Sequence, residues 1–237
     1  MADAATESLP IVLVPGLTCT ARLYAEQIPA LWQFGPVTVA DHRRDDSMAA
    51  IARRILALAP PRFALAGLSM GGYIAFEIMR QAPQRVARLA LLDTGARADT
   101  PEQTERRRRL MALAKDGRYA EIPEQAFPLY VHRKRHGDKA LKRLVCEMAE
   151  ATGSEAYLRQ QQAILSRPDS RPGLGAISCP TLVLVGEGDE ATPPELAREI
   201  AAGIPGSRLV LIPDSGHLST LEEPAAVTEA LVAWLRP

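Results

Sequence analysis

Several things are scarce in this 237-residue chain, and each scarcity removes a class of function. Cysteine occurs three times, as Cys19, Cys146 and Cys179; the number is odd and the spacings wide. That pattern builds neither a disulfide framework nor a metal-ligand cluster, and a reducing, cytoplasmic setting is expected. Net charge is absent: 28 Lys and Arg stand against 28 Asp and Glu, without the basic excess of a nucleic-acid binder. No apolar run approaches the roughly 20 residues needed to span a membrane, so no stable membrane association is expected. Met1–Glu7 has neither a positive start nor an apolar core, so no secretion signal is expected either. Internal repeats and low-complexity segments are lacking. What remains is ordinary globular composition, 47% hydrophobic and 24% charged, at a length suited to one large domain or one domain with an insertion.

Short β-branched or Leu-rich runs ending in turn residues predict six strands: Pro10–Pro15, Val37–Asp41, Arg62–Leu68, Val86–Asp93, Thr181–Gly186 and Arg208–Pro213. Most are apolar on both faces, as in a parallel sheet covered by helices on each side. Helical patterns alternate with them: Arg22–Phe34, Ser47–Ala59 with Ser47 as N-cap, Met70–Gln81 stopped by Pro83, Pro194–Ala202 and Pro224–Leu235. The alternation predicts a doubly wound α/β fold. Trp32 and Trp234 fall on helix faces and read as core.

Between residues 99 and 172 the strand rhythm disappears, and charged helical patterns replace it: Glu102–Arg109, Glu124–Tyr130, Asp138–Ala151 and Ser154–Ser166. An insertion after a strand's C-terminal end sits over the sheet's ligand-binding edge. Residues 99–172 therefore read as a helical cap, and residues 1–98 with 173–237 as the core. Within the cap, Phe127, Tyr130 and Tyr157 either line an acyl pocket or hold the cap helices together. Arg106–Arg109 and His132–Arg135 make the one strong charge asymmetry. Four consecutive arginines point all around a helix, so a solvated face is the plain reading. Attraction of anionic substrates, or of an acidic carrier protein, is the functional alternative.

Gly67-Leu68-Ser69-Met70-Gly71 stands between a predicted strand and a predicted helix. A serine on such a turn is lifted clear of the sheet, beside a helix N-terminus whose N–H groups are unpaired. Its hydroxyl needs a base to become a nucleophile. His217, just past the sixth strand, is the candidate base; His42, His132 and His136 have weaker contexts. The base needs a carboxylate to fix its tautomer. Asp189, past the fifth strand, leads, and Asp93, at the end of the fourth, is the rival. The oxyanion of acyl transfer needs two N–H donors: that of Met70, and one from the loop after the first strand, where Gly16 lets the backbone approach and Leu17 is the choice. Cys19, beside that loop, reads as a small buried hydrophobe.

The chain resembles the α/β-hydrolase superfamily, in particular small capped esterases and lactonases. The residues that carry the resemblance are Val12–Leu17, Gly67–Gly72, Gly186–Asp189 with Thr192-Pro193-Pro194, and Ser215–His217, in family order along nearly the whole chain. The resemblance implies Ser69 as nucleophile, His217 as base, Asp189 as acid, and Leu17 and Met70 as oxyanion donors. It departs in two places. Many relatives carry His-Gly where this chain has Pro15-Gly16, which removes a side chain that often braces the loop. Only nine residues precede the first strand, too few for the usual extra hairpin, so a shortened, mostly parallel sheet near six strands is expected. The expected activity is cleavage of carboxylic esters with no metal or organic cofactor. The rivals are a lactonase, a hydrolase of carrier-linked esters or thioesters, a perhydrolase or haloperoxidase-like enzyme, and a ligand-binding receptor without turnover.

Overall fold

The computed structural model describes residues 8–236, so the N-terminal stretch considered for a secretion signal lies outside the described residues. The strands are β1 (Ile11–Val14), β2 (Val37–Val39), β3 (Phe63–Leu68), β4 (Val86–Leu92), β5 (Thr181–Gly186) and β6 (Arg208–Ile212). They form one sheet in the order β2-β1-β3-β4-β5-β6, with every neighbouring pair parallel. The inner strands β1, β3 and β5 are buried at every residue, while the edge strands β2 and β6 are only partly covered. Both faces of the inner sheet are thus wrapped, which is why those strands read as unbroken apolar runs. Chain order reverses between β1 and β3, and the carboxyl ends of these two strands open a crevice where α/β sheets bind ligands.

The helices, in chain order, are a one-turn α1 (Ile28–Leu31), α2 (Met48–Leu58), α3 (Met70–Gln81), α4 (Pro101–Leu113), α5 (Glu121–Tyr130), α6 (Lys139–Thr152), α7 (Ser154–Leu165), α8 (Pro194–Gly203), a one-turn α9 (Ser219–Glu222) and α10 (Pro224–Leu235). Ser47 caps α2, its Oγ accepting the Ala50 N–H at 3.3 Å. One predicted helix is corrected. Arg22–Phe34 divides into a 3₁₀ turn at Ala21–Tyr24 and the single turn of α1. Pro29 carries no N–H and its ring crowds the carbonyl four residues back, and the chain starts a new helical turn there with Pro29 in its first turn. The break shifts the helical phase of the residues beyond it: Trp32, expected in the core, is 64% exposed, whereas Trp234 is buried.

Alternation along the strands divides the core. Val12, Leu65, Leu91 and Val183 meet α2, α3 and α8 on one face. Leu13, Ala66, Ala90 and Leu184 meet α1 and α10 on the other. Helices α4–α7 leave the sheet after β4 and return before β5. A π-type turn at Ala114–Arg118, with Gly117 at φ 80°, joins α4 to α5. Ala114, Ile122 and Tyr157 make a small cluster of their own here, but Phe127, Val131, Leu141, Val145 and Met148 belong to the second core face. No described helix is long and apolar enough to cross a membrane.

Candidate active site

β3 ends at Leu68 and α3 begins at Met70, so Ser69 makes the turn alone, at φ 56° and ψ −114°. The glycines beside it are required by contact. A Cβ on Gly67 would stand 2.2 Å from the Gly71 carbonyl oxygen, and one on Gly71 would stand 2.0 Å from that of Val14. The Ser69 N–H donates to the Leu92 carbonyl at 2.9 Å, and the Ser69 carbonyl accepts from the Thr94 hydroxyl at 2.8 Å. Left-handed backbone in a residue other than glycine is costly and gathers at functional sites. Thr18, Ser69, Asp93 and Asp214 all adopt it, and they follow β1, β3, β4 and β6 on the same sheet edge.

On that edge three distant side chains form a hydrogen-bonded row. His217 Nε2 lies 2.8 Å from Ser69 Oγ, and His217 Nδ1 lies 2.8 Å from Asp189 Oδ2. Asp189 is saturated with donors. Its Oδ1 accepts the N–H groups of Ala191 and Thr192, each at 2.8 Å, and its Oδ2 accepts the Thr192 hydroxyl at 2.7 Å. Burial opposes a charge on His217, but the Asp189 carboxylate outweighs it through charge and hydrogen bond, with Asp93 and Glu222 adding; the imidazole pKa is raised above its ordinary value. The His217 loop is held from both sides. Its own N–H donates to the Tyr130 carbonyl at 3.0 Å, and Glu222 Oε1 accepts the flanking N–H groups of Gly216 and Leu218 at 3.0 and 3.1 Å.

Asp93, the rival acid, is fully buried and turned elsewhere. Its carboxyl oxygens accept the Gly186 N–H and the Ser219 hydroxyl. Burial, and then the nearby Asp189 charge, push its pKa well above the usual carboxylate range. Burial likewise pushes the Cys19 thiol up to about 12, so it is no thiolate at neutral pH.

The N–H groups of Leu17 and Met70 have no protein acceptor among the described residues, and a Cβ on Gly16 would stand at ordinary contact distance, 3.5 Å, from the Ser69 Cβ. The loop lacks a histidine of its own before Gly16, yet it is braced. His42 Nε2 lies 3.0 Å from the Gly16 carbonyl, and Gln160 Oε1 accepts the Thr18 N–H at 3.2 Å. Burial lowers the His42 pKa, so the neutral ring donates from Nε2 to that carbonyl.

A cavity of about 230 Å³ opens over this row. Ser69, His217, Leu17, Tyr130, Tyr157 and Arg107 are on its wall. Tyr130 also stacks near His217, with ring centroids 5.6 Å apart. Phe127 is not on the wall. Its ring lies in the second core face with Val131 and Met148, so of its two readings it is the structural one that the packing matches. The run His132–Arg135 is largely engaged, Lys134 with Asp214 and Arg135 with Asp138.

Sequence reasoning does not single out Thr192, Gln160, His42 or Glu222 for the site. Thr192 enters only with Pro193 and Pro194 as part of the resemblance, and His42 only as a histidine of weaker context; Gln160 and Glu222 carry no local signal at all.

Fold, turn and hydrogen-bonded row together define the class. The chain belongs to the alpha/beta hydrolase fold family, whose family model matches residues 26–224. It is similar to a thermophilic esterase of Thermogutta terrifontis, at 34% identity and a TM-score of 0.86 over 96% of this chain and 89% of that one. It is also similar to an enol-lactonase of Burkholderia xenovorans, at 26% identity and a TM-score of 0.88 over 98% of this chain and 93% of that one. A Mycobacterium tuberculosis protein named as a non-heme bromoperoxidase, BpoC, is 32% identical over 191 residues, 76% of this chain and 69% of its own.

Proposed function

We propose that the protein is a serine hydrolase of carboxylic esters acting through an acyl-enzyme. The observation that carries this reading is the Ser69–His217–Asp189 row, with both of its hydrogen bonds at 2.8 Å. In this reading His217 takes the Ser69 proton as Oγ attacks the carbonyl carbon. Asp189 holds the Nδ1–H tautomer and stabilises the imidazolium. The N–H groups of Leu17 and Met70 receive the oxyanion. His217 then returns the proton to the leaving alcohol, and water cleaves the acyl-enzyme by the same steps in reverse. Helices α4–α7, within residues 99–172, act as a cap that selects the acyl group. The cavity volume lies below the roughly 300–1,000 Å³ of drug-sized ligand sites, which favours a small substrate.

The test is turnover of short p-nitrophenyl esters by Ser69→Ala. The expected loss in kcat is on the order of 10⁴-fold or more, with loss of fluorophosphonate labelling. Wild-type rates in the variant would sink the reading, and binding without turnover by the wild type would favour a receptor.

A lactone is the second reading, favoured by the similarity to an enol-lactonase over nearly the whole chain. The same machinery opens a cyclic ester. A panel of short esters against lactones of several ring sizes, compared in kcat/KM, separates the two.

A further inference from the structure

The cavity wall is not electrically neutral. Arg106 and Arg107, on α4, both line it. Arg107 is mostly buried; its Nε donates to Asp99 at 2.6 Å and its Nη1 to Gln161 Oε1 at 3.0 Å. Gln161 in turn donates to the Tyr157 hydroxyl at 2.8 Å. Asp99 does not belong to Arg107 alone, since Arg167 Nη2 also reaches it at 2.8 Å. Two guanidinium groups therefore share one buried carboxylate, and the cluster keeps an excess positive charge. Arg106 adds a second. Among the described residues no carboxylate pairs with it, although its neighbours Arg107 and Arg109 are engaged by Asp99 and Glu105. Glu190 is the one acidic side chain among the described residues on this wall, exposed on the loop after β5. The other polar side chains near the arginines on this wall are amides and tyrosines, among them Gln103, Gln161, Tyr119, Tyr130 and Tyr157.

Arg106 is solvent-exposed where it lines this cavity and Arg107 is mostly buried in the wall, so the two guanidinium groups flank a half-enclosed apolar space and can meet an anion that enters it. Its planar fork matches carboxylate and phosphate geometry. The small volume of the cavity, which must also hold the ester group at Ser69, favours the smaller of the two.

We propose that Arg106 and Arg107 form an anion subsite, and that the preferred substrate is a small ester or lactone carrying a carboxylate at the end away from the scissile bond. The subsite deepens the hydrolase reading and rests on it. Hydrolysis of such a substrate releases a product with two carboxylates, one formed at Ser69 and one already held at α4.

The experiment compares kcat/KM for the monomethyl esters of succinic, glutaric, adipic and pimelic acids with their neutral analogues, in which a carboxamide replaces the free carboxylate. For at least one chain length the anionic ester is expected to be favoured about tenfold, the size of a partly screened charge pair. In Arg106→Gln that ratio falls by about the same factor, whereas Arg108→Gln, on another face of α4, keeps it. Equal or better use of the carboxamides at every length would overturn the subsite. So would an Arg106→Gln variant that slows both series alike. Should no ester be turned over, the linear-ester reading falls, and calorimetric titration with the free dicarboxylates still decides the subsite. Binding that weakens in Arg106→Gln supports it, and no binding to the wild type overturns it.

Discussion

In the proposed mechanism His217 must be neutral to accept the Ser69 proton; burial works toward that state, while Asp189, with Asp93 and Glu222 behind it, works against it. The balance raises the imidazole pKa above its ordinary value of 6.5. Below that raised pKa the ring is an imidazolium and cannot act as base, so activity is lost as pH falls through it. The acid limb of kcat/KM against pH is therefore expected above 6.5. Asp189→Asn removes the stabilising charge and turns an N–H donor toward Nδ1, favouring the wrong tautomer. It is expected to lower kcat by about 10⁴-fold and to move the acid limb to lower pH. A limb that stays in place in this variant would mean that another carboxylate sets the His217 pKa. Asp93 is the one to examine then, since it is buried next to Asp189 and bonded to Gly186 at the end of the strand that leads to it.

Among the elements, α7 has the least expected reach. It supplies Gln160, whose side chain is buried and accepts the N–H of Thr18, a residue in left-handed backbone on the loop after β1. The helix thereby fixes the loop that carries Leu17. Gln160→Ala leaves that N–H unpaired and the loop freer to relax. The expected result is roughly a tenfold fall in kcat with a smaller change in KM, because in the proposed mechanism the loop's donor acts on the developing oxyanion. A change confined to KM would make Gln160 a plain packing residue.

The elements themselves are largely legible in the sequence. β5 and α3 fall at Thr181–Gly186 and Met70–Gln81 as the pattern predicts, because apolar runs punctuated by glycine and proline are local signals. The row of Ser69, Asp189 and His217 is legible as an order of residues after strands, and only its distances are not. The braces are beyond reach for a physical reason. Thr18 and Gln160 are 142 positions apart, and His42 and Gln160 are 118 apart, so no spacing along the chain announces them. The failure at α1 is of another kind: Pro29 stands in plain view, and the apolar periodicity around it masks the break.

At the scale of the whole molecule, the strand order puts the crevice between β1 and β3, and among the described residues Thr18, Ser69, Asp93 and Asp214 place strained backbone along the carboxyl edge of the sheet. Each such residue costs about 1–3 kcal/mol, so the rest of the fold must hold that edge in place. The second core face does much of this, and it does not stop at the sheet. Phe127, Val131, Leu141, Val145 and Met148 of α5, α6 and the adjoining segment are buried in it. Pulling these five side chains into water would cost on the order of 10 kcal/mol. Helices α5 and α6 should therefore unfold together with the sheet. Calorimetry is expected to show one transition, and hydrogen exchange in both helices should be as slow as in the strands. Two separated transitions would contradict this. The kinetic consequence is that these helices cannot swing aside like a door on each turnover. Under the proposed activity, substrate threads past rim side chains in small displacements, so a bulky ester should be penalised in its rate of arrival before it ever meets Ser69.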